Sequence, residues 1–357
     1  MTRNSKDYEG LARRDFVKMG AGAGAWMATL GTRPGLAQGQ GTRSGASIDF
    51  HCHFRPAAYL KFLGDLGQGS GRVTRELASD PAARIERMDA VGVQTQVLTI
   101  GGASPWNWMP AGAAARLCSI YNDAAIEACT AYPGRFVVGA ALPVLDPDLA
   151  LQELNRVAGQ PGVRVVDLPC SIQRQDYWLD PGFEKVWSRI EVLGYPVVFH
   201  PLDGVYYSDR LTSQADVAAQ IQNSLGFPFD TTTTATKLIT RGILDKFPKL
   251  NCVWVHAGGT FPYILGRIGH GFNRREFGIE RELKEYVTQY YFDTLTFYPE
   301  TLRFLINIVG AGQVVIGTDN YATMDVDDPN GLVEELNLPP ADRDRILRGN
   351  GMKILGL

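Results

Sequence analysis

Short apolar segments alternate with longer amphipathic segments along most of the chain. Eight of the short segments are rich in valine and isoleucine, and we predict them as β-strands: Ala46–His53, Gln94–Ile100, Arg135–Leu142, Gly162–Leu168, Pro196–His200, Leu250–His256, Tyr290–Leu295 and Gln313–Thr318. Seven amphipathic segments are predicted as helices: Ala82–Val91, Gly112–Ala131, Pro147–Ala158, Pro181–Leu193, Thr232–Lys246, Thr260–Phe272 and Pro299–Val309. Continuous apolar strands are typical of parallel sheets that helices cover on both faces. The alternation therefore predicts an α/β protein with the (β/α)8 TIM-barrel fold.

Two segments interrupt this alternation. Residues Arg55–Asp80 follow the first predicted strand, and we expect them to form a small insertion over the mouth of the barrel. Residues Pro339–Leu357 are predicted to form one or two closing helices. Because no repeat or linker divides residues 46–357, we predict a single barrel domain in this part of the chain.

Four of the five histidines lie at the ends of predicted strands. His51 and His53 end the first strand, His200 the fifth and His256 the sixth, and Asp319 follows the eighth. Because the active sites of such barrels lie at the C-terminal ends of the strands, we expect these side chains to converge. Three imidazoles from such a group, together with one carboxylate, suit a divalent metal. We expect zinc, with manganese and iron as alternatives.

The first residues have the pattern of a targeting segment. The pair Arg13-Arg14 precedes a weakly apolar stretch rich in glycine and alanine, Met19–Gly31, and the small residue Ala37 follows where a cleavage point is expected. This pattern predicts a signal peptide of the twin-arginine type, with a flexible basic tail as the alternative. The apolar stretch is too short for a membrane span, which needs about 20 apolar residues.

These patterns divide the chain into three parts. We assign residues 1–37 to the signal peptide, residues 38–45 to a linker and residues 46–357 to the barrel. The twin-arginine export machinery is therefore an expected partner, and the expected location is periplasmic or otherwise extracytoplasmic. Because this route exports folded proteins, a metal can be loaded before export.

Composition excludes one class of partner and one kind of cross-link. The net charge of −3 shows no basic footprint for nucleic acid, so we expect no nucleic-acid partner. The cysteines are odd in number, widely scattered and without a Cys-x-x-Cys pair, which predicts buried thiols and no disulfide. They are Cys52, Cys118, Cys129, Cys170 and Cys252.

Several segments resemble the amidohydrolase superfamily, and within it the branch typified by aminocarboxymuconate-semialdehyde decarboxylase. They are Ile48–His53, Arg84–Gly92, Leu179–Pro201, Phe247–Phe272 and Val315–Asp319. The likeness covers nearly all of residues 46–357, and the stretch from His256 to Gly271 is its most specific part. The resemblance implies a metal-dependent barrel enzyme.

Carried over by position, the resemblance implies that His51, His53, His200 and Asp319 bind the metal. It implies that His256 is the catalytic acid or base, and Asp319 counts with His256 among the catalytic residues. Strand four, Gly162–Leu168, lacks the lysine that bridges two metals in the binuclear hydrolytic members. The resemblance therefore implies one divalent metal and no organic cofactor.

Two arginines and the fifth histidine also match family positions. Arg75 matches an arginine that binds the substrate carboxylate, although a solvated loop charge is the alternative. Arg267 matches an arginine supplied across a dimer interface, which implies a homodimer; a structural ion pair on its helix is the alternative. His270 matches a histidine without a ligand role, and we predict that it packs in the interior.

The resemblance implies non-oxidative decarboxylation of a small unsaturated or aromatic carboxylic acid, that is, a carboxy-lyase. The alternative is a mononuclear metal-dependent hydrolase that cleaves a lactone, an amide or an activated carbon–carbon bond. A third hypothesis is an exported binding protein without turnover. Two departures from the family pattern lie at the pocket rim: Leu202-Asp203 follows Pro201 where the semialdehyde decarboxylases tend to have an aromatic residue, and Asn320-Tyr321 follows Asp319 where many relatives have an aromatic residue and then proline. The semialdehyde itself is therefore not the expected substrate.

Overall fold

The computed structural model describes residues 47–66, 79–101, 109–202, 220–272, 279–322 and 324–357. The predicted signal peptide, the predicted linker and Arg75 lie outside these residues. The described strands are β1 (Ser47–His53), β2 (Val93–Thr99), β3 (Phe136–Ala141), β4 (Val163–Pro169), β5 (Val197–His200), β6 (Cys252–Trp254), β7 (Tyr290–Asp293) and β8 (Val314–Val315). They form one sheet in the order β1 to β8, and each strand is parallel to the next.

The last strand returns to the first. Asp49 forms a parallel bridge with Ile316, Cys52 forms another with Asn320, and the backbone N–H of Phe50 donates to the carbonyl oxygen of Ile316 at 2.8 Å. These isolated bridges bring the eight strands into a nearly closed barrel. The predicted TIM-barrel fold is confirmed.

The helices of the described part follow the strands in alternation. They are α1 (Ala57–Asp65), α2 (Pro81–Val91), α3 (Ala111–Ala131), α4 (Pro147–Val157), α5 (Glu184–Leu193), α6 (Phe227–Thr240), α7 (Ile243–Lys246), α8 (Phe261–Phe272), α9 (Leu283–Val287), α10 (Pro299–Val309), α11 (Pro329–Glu334), α12 (Pro340–Asp344) and α13 (Asn350–Leu355). The helix predicted over Thr232–Lys246 is two helices, because Gly242 adopts a left-handed φ of 73° between them.

Local sequence signals explain where the helices begin and end. The side chain of Asp80 accepts a hydrogen bond from the backbone N–H of Ala82, Pro81 occupies the first turn, and Gly92 ends α2 with a φ of 74°. Within the insertion predicted after β1, α1 is a helix that packs against α3, and residues 67–78 lie outside the described part.

Two apolar clusters lie on opposite sides of the barrel wall. The inner cluster contains Ile48, Phe50, Val97, Val137, Val165, Val198, Val253, Val255, Tyr291, Val315, Ile354 and Leu355. The outer cluster packs the strands against the helices and includes Leu98, Val138, Val166, Phe199, Trp254 and Phe292. Because the last two members of the inner cluster belong to α13, the C-terminal helices close the barrel, as predicted.

All five cysteines are free and buried, as predicted. Cys52 belongs to the outer cluster, where its Sγ donates to the carbonyl oxygen of Val97 and accepts from Arg84 Nη2, each at 3.2 Å. None of the described helices is long and apolar enough to cross a membrane.

Candidate active site

Four predicted ligands meet at the C-terminal end of the barrel. His51, His53, His200 and Asp319 are buried and offer ligand atoms that all lie within 4.8 Å of one another. His51 and His53 lie at the end of β1, His200 ends β5, and Asp319 follows β8. This is the one group of its kind in the described residues, and it forms a metal-binding site.

A bulge in β1 places both histidines on the inside. The pairing of β1 with β2 shifts by one residue between Asp49 and Cys52. Strict alternation would turn Phe50 and His51 to opposite faces. Because of the bulge, Phe50 fills the inner cluster while His51 and His53 both reach the metal-binding site.

Hydrogen bonds orient two of the histidine rings. His51 Nδ1 lies 2.7 Å from a carboxylate oxygen of Asp293, and His200 Nδ1 lies 2.7 Å from the carbonyl oxygen of Pro201. Both partner atoms accept hydrogen bonds, so the Nδ1 of each ring carries a proton. The Nε2 atoms of His51 and His200 are buried and make no well-aligned hydrogen bond with a described residue, although His51 Nε2 lies 3.3 Å from a carboxylate oxygen of Asp319. Without a proton, each of these nitrogens can bind a divalent cation.

The pKa shifts of the four predicted ligands also favour a divalent cation. Burial opposes ionisation of Asp319, but hydrogen bonds with His51 and His53 outweigh it and hold the pKa of Asp319 well below its usual range. Burial also opposes a charge on His51, but hydrogen bonds with Asp293 and Asp319 raise its pKa to about 10. Burial, together with the neighbouring histidines, lowers the pKa of His200 well below its usual range. A buried carboxylate beside imidazole lone pairs fits a divalent metal.

His256 lies beside this group without belonging to it. It follows β6, where the chain leaves the sheet and His256 and Ala257 both adopt a φ of 54°. Its ring centroid is 4.9 Å from that of His51, and its ring stacks on Phe227. Burial, with the charge of His51, lowers the pKa of His256 to about 4. A neutral, half-buried imidazole therefore faces the metal-binding site.

Sequence reasoning missed Asp293, which ends β7 and is fully buried. Its carboxylate accepts hydrogen bonds from His51 Nδ1 and from the backbone N–H groups of His256, Ala257 and Leu295. One carboxylate thus fixes both a metal ligand and the turn that positions His256. The signal was available, because an acidic residue after the apolar run Tyr290–Phe292 repeats the pattern that identified His200.

Asp293→Asn should weaken the binding of Mn²⁺ or Zn²⁺ about 10- to 100-fold, the usual loss when the partner of a ligand histidine is removed. The amide keeps one acceptor oxygen, but its NH2 group cannot accept the remaining N–H donors. Competition with a metal-sensitive chelator measures the affinity. Asp328→Asn, which changes the exposed carboxylate that caps α11, is the control. Equal affinities of Asp293→Asn and the wild type would contradict this role.

Asp167 occupies the end of β4, where the binuclear hydrolases have a lysine. Burial raises its pKa to about 7, against hydrogen bonds from the backbone N–H groups of Ile100 and Gly101. Gly101 lies against the His53 ring, because a Cβ there would come 1.7 Å from His53 Nδ1. Asp167 does not belong to the ligand group and instead fixes the segment beside His53.

The structure does not place the other three predicted residues in the metal-binding site. Arg75 lies outside the described residues. Arg267 is exposed on α8, and no ion pair of its guanidinium is found with another described residue. The prediction that His270 packs in the interior is wrong, because its side chain is exposed in the last turn of α8.

A second residue that sequence reasoning missed is Arg55. It belongs to the short segment that connects β1 and α1, and it is only 8% exposed. Burial lowers its pKa, and the charges of Tyr59 and Asp319 oppose that shift. Its position within the predicted insertion concealed it, since an arginine in a polar loop is ordinarily solvated.

Two known proteins are similar to this chain over most of its length. In Dictyostelium discoideum, 2-amino-3-carboxymuconate-6-semialdehyde decarboxylase is 26% identical over 332 residues, which cover 91% of this chain and 88% of that protein. Gamma-resorcylate decarboxylase from a Rhizobium species is 26% identical over 285 residues, covering 77% of this chain and 86% of that protein.

A solved structure shares the fold. Dihydroxybenzoic acid decarboxylase from a Polaromonas species, with bound manganese, superposes with a TM-score of 0.74 at 24% identity, covering 88% of this chain and 97% of that chain. The sequence model of the amidohydrolase family matches residues 48–357, which include the metal-binding group, His256 and Asp293. The chain therefore belongs to the amidohydrolase family.

Proposed function

We propose that this protein is a metal-dependent, non-oxidative decarboxylase of a small unsaturated or aromatic carboxylic acid. The single observation that supports this best is the neutral His256 ring beside, but outside, a buried group of three histidines and one aspartate. The relatives compared above are named as decarboxylases of such acids. The expected substrate class is therefore a small carboxylate with a conjugated or aromatic framework.

His51, His53, His200 and Asp319 would hold one divalent metal, either zinc or manganese. When bound, the metal supplies a positive charge that attracts substrate oxygens and stabilises negative charge that develops on the substrate. The absence of a lysine at the end of β4 supports a single ion, since no residue of that strand belongs to the ligand group.

His256 would deliver a proton to the carbon that loses CO2. In the balanced reaction, the carboxylate carbon leaves as CO2, the electron pair of the broken bond stays on the substrate, and one proton is taken up. A low pKa makes the imidazolium of His256 a strong acid, so once it is protonated it transfers its proton readily. The stacked Phe227 and the hydrogen bonds of Asp293 hold the ring and its turn in place.

The reaction is tested by release of CO2. The protein purified without chelator is analysed for metal and then assayed with a panel of hydroxybenzoic, dienoic and other unsaturated acids, together with lactones and amides. We expect about one metal ion per chain and CO2 from at least one acid. Hydrolysis of a lactone or amide without CO2 from any acid would establish the hydrolase instead, and two metals per chain would point in the same direction.

The homodimer implied by the resemblance has a candidate interface on α8 and α10. Tyr263 is 77% exposed, and its ring centroid is 5.8 Å from that of Phe304 on α10, where Ile308 is also exposed. Arg267 follows Tyr263 by one helical turn and lies on the same side of α8. A second copy that covers this apolar surface would bury Arg267 at the interface, as the family pattern implies.

Tyr263→Glu should shift the protein from dimer to monomer, because a charge in an apolar interface must be desolvated without a partner. Light scattering after size-exclusion chromatography measures the mass. Val192→Glu, at an equally exposed apolar position on α5, is the matched control and should leave the mass unchanged. A wild-type protein that is monomeric at all concentrations would contradict the proposal.

Export through the twin-arginine pathway remains part of the proposal. It is supported by the Arg13-Arg14 pair and the apolar stretch after it. N-terminal sequencing of protein recovered from outside the cytoplasm should find a new terminus after Ala37, and replacement of both arginines by lysine should retain the protein inside the cell.

A further inference from the structure

Arg55 is a buried cation without a partner in the described part of the chain. Its side chain is 8% exposed, and its Nε is buried without a hydrogen-bond acceptor. No ion pair with a carboxylate of the described residues is found for its guanidinium. Buried polar groups almost always have partners, so a group that lacks one requires an explanation.

Arg84 is a buried arginine with a structural role and can be compared with Arg55. It is fully buried, and its guanidinium donates to the carbonyl oxygen of His53 at 2.8 Å and to Gln96 Oε1 at 3.0 Å. Arg84 thus links α2 to β1 and β2. Arg55 makes no comparable contact with the residues that the structure describes, so its burial disfavours folding without a hydrogen bond to offset the cost. A role in stability does not explain Arg55.

The position of Arg55 indicates which kind of group it serves. It follows the metal ligand His53 by two residues, its charge lowers the pKa of His53, and the charge of Asp319 acts in turn on the pKa of Arg55. It therefore lies beside the metal-binding site at the C-terminal end of the barrel. An anion bound between Arg55 and the metal-binding group would pair with the guanidinium.

We propose that Arg55 binds the carboxylate of the substrate. A planar guanidinium forms two parallel hydrogen bonds with a carboxylate, and burial strengthens both because water competes less. Arg55 would orient the substrate next to His256 and the metal and would select acids over their neutral analogues. This inference rests on the proposed function for the identity of the ligand, but it assigns the anion-binding role to a residue other than Arg75 and Arg267.

The test uses the metal-loaded protein and two probes of nearly equal shape, benzoate and the neutral benzamide. Calorimetric titration measures the affinity of each probe for the wild type, Arg55→Gln and Arg55→Lys. Lys61→Gln is the matched control, because it removes one positive charge from the exposed side of α1, where Lys61 pairs with Asp65. The metal content and the melting temperature of every variant are measured in parallel.

We expect Arg55→Gln to weaken benzoate binding about 10- to 100-fold, in the range of hydrogen bonds to charged groups, and to leave benzamide binding unchanged. Arg55→Lys should bind benzoate with intermediate affinity, because it keeps the charge and loses the paired geometry. The melting temperature of Arg55→Gln should equal or exceed that of the wild type, since the variant removes an unpaired buried charge. Lys61→Gln should behave as the wild type in every measurement.

Three results would overturn the inference. The first is benzoate affinity of Arg55→Gln within about twofold of the wild type. The second is a wild type that does not discriminate benzoate from benzamide. The third is a loss of melting temperature and of affinity for both probes, which would make Arg55 a structural residue. The CO2 assay of the wild type is independent: decarboxylation with an unaffected Arg55→Gln rejects this inference alone, whereas selective loss of benzoate binding without any decarboxylation rejects the proposed function alone.

Discussion

Replacement of His256 by asparagine should lower kcat about a hundredfold or more while the protein keeps about one metal ion per chain. A positioned general acid or base typically contributes this factor or more, and asparagine cannot transfer a proton. The amide is close in size to part of the imidazole, and the backbone N–H groups of residues 256 and 257 can still donate to Asp293. The turn after β6 should therefore persist.

The measurement pairs kcat for CO2 release with elemental analysis of the same preparation. His270→Asn is the matched control, since it makes the same substitution at an exposed position of α8 and should leave both values unchanged. If His256→Asn loses the metal instead, then His256 is a ligand and the roles proposed for the site are wrong. If kcat is unchanged, the proton comes from another group.

Asp319→Ala should empty the metal-binding site and reduce decarboxylation to background. Asp319 is the one carboxylate of the ligand group, and hydrogen bonds with His51 and His53 hold its pKa low against the effect of burial. Without it, a divalent cation would enter a buried set of neutral imidazoles with no negative charge to offset its desolvation. Metal affinity should fall further than in any single histidine variant.

Elemental analysis and the CO2 assay again provide the measurement. Asp167→Asn is the matched control, because its carboxyl group also lies at the C-terminal end of the barrel but outside the ligand group. Burial raises the pKa of Asp167 to about 7, so its carboxyl group is partly protonated near neutral pH. The neutral amide of asparagine resembles this protonated form. Asp167→Asn should retain the metal. A metal content near one per chain in Asp319→Ala would contradict the ligand assignment.

The barrel and its ligands were accessible from sequence because both depend on short-range patterns. Apolar runs mark strands, and a histidine at the end of such a run points to the end of the barrel at which active sites form. This reasoning located His51, His53, His200 and His256. It also predicted β6 and β8 to be longer than they are, since Val255 is apolar but lies beyond the end of β6, and Ile316 makes only an isolated bridge beyond β8.

Long-range geometry explains what the sequence could not provide. The bulge in β1 depends on pairing with β2, and strand alternation alone would not place Phe50 and His51 on the same side. Asp293 gains its role from partners on β1 and after β6, far away in sequence. The burial of Arg55 depends on the packing around α1, and the exposure of His270 depends on which side of α8 faces the barrel.

The inner cluster also determines the order in which this protein can mature. Ile48 and Phe50 from β1 meet Ile354 and Leu355 from α13, so the interior of the barrel is sealed only when a segment synthesised long after β1 is present. A nascent chain that already contains His51, His53 and His200 still lacks Asp319 and the helix that closes the barrel. The complete ligand group therefore forms only after β8 has been synthesised, and we expect the ion to bind a chain in which all eight strands are present.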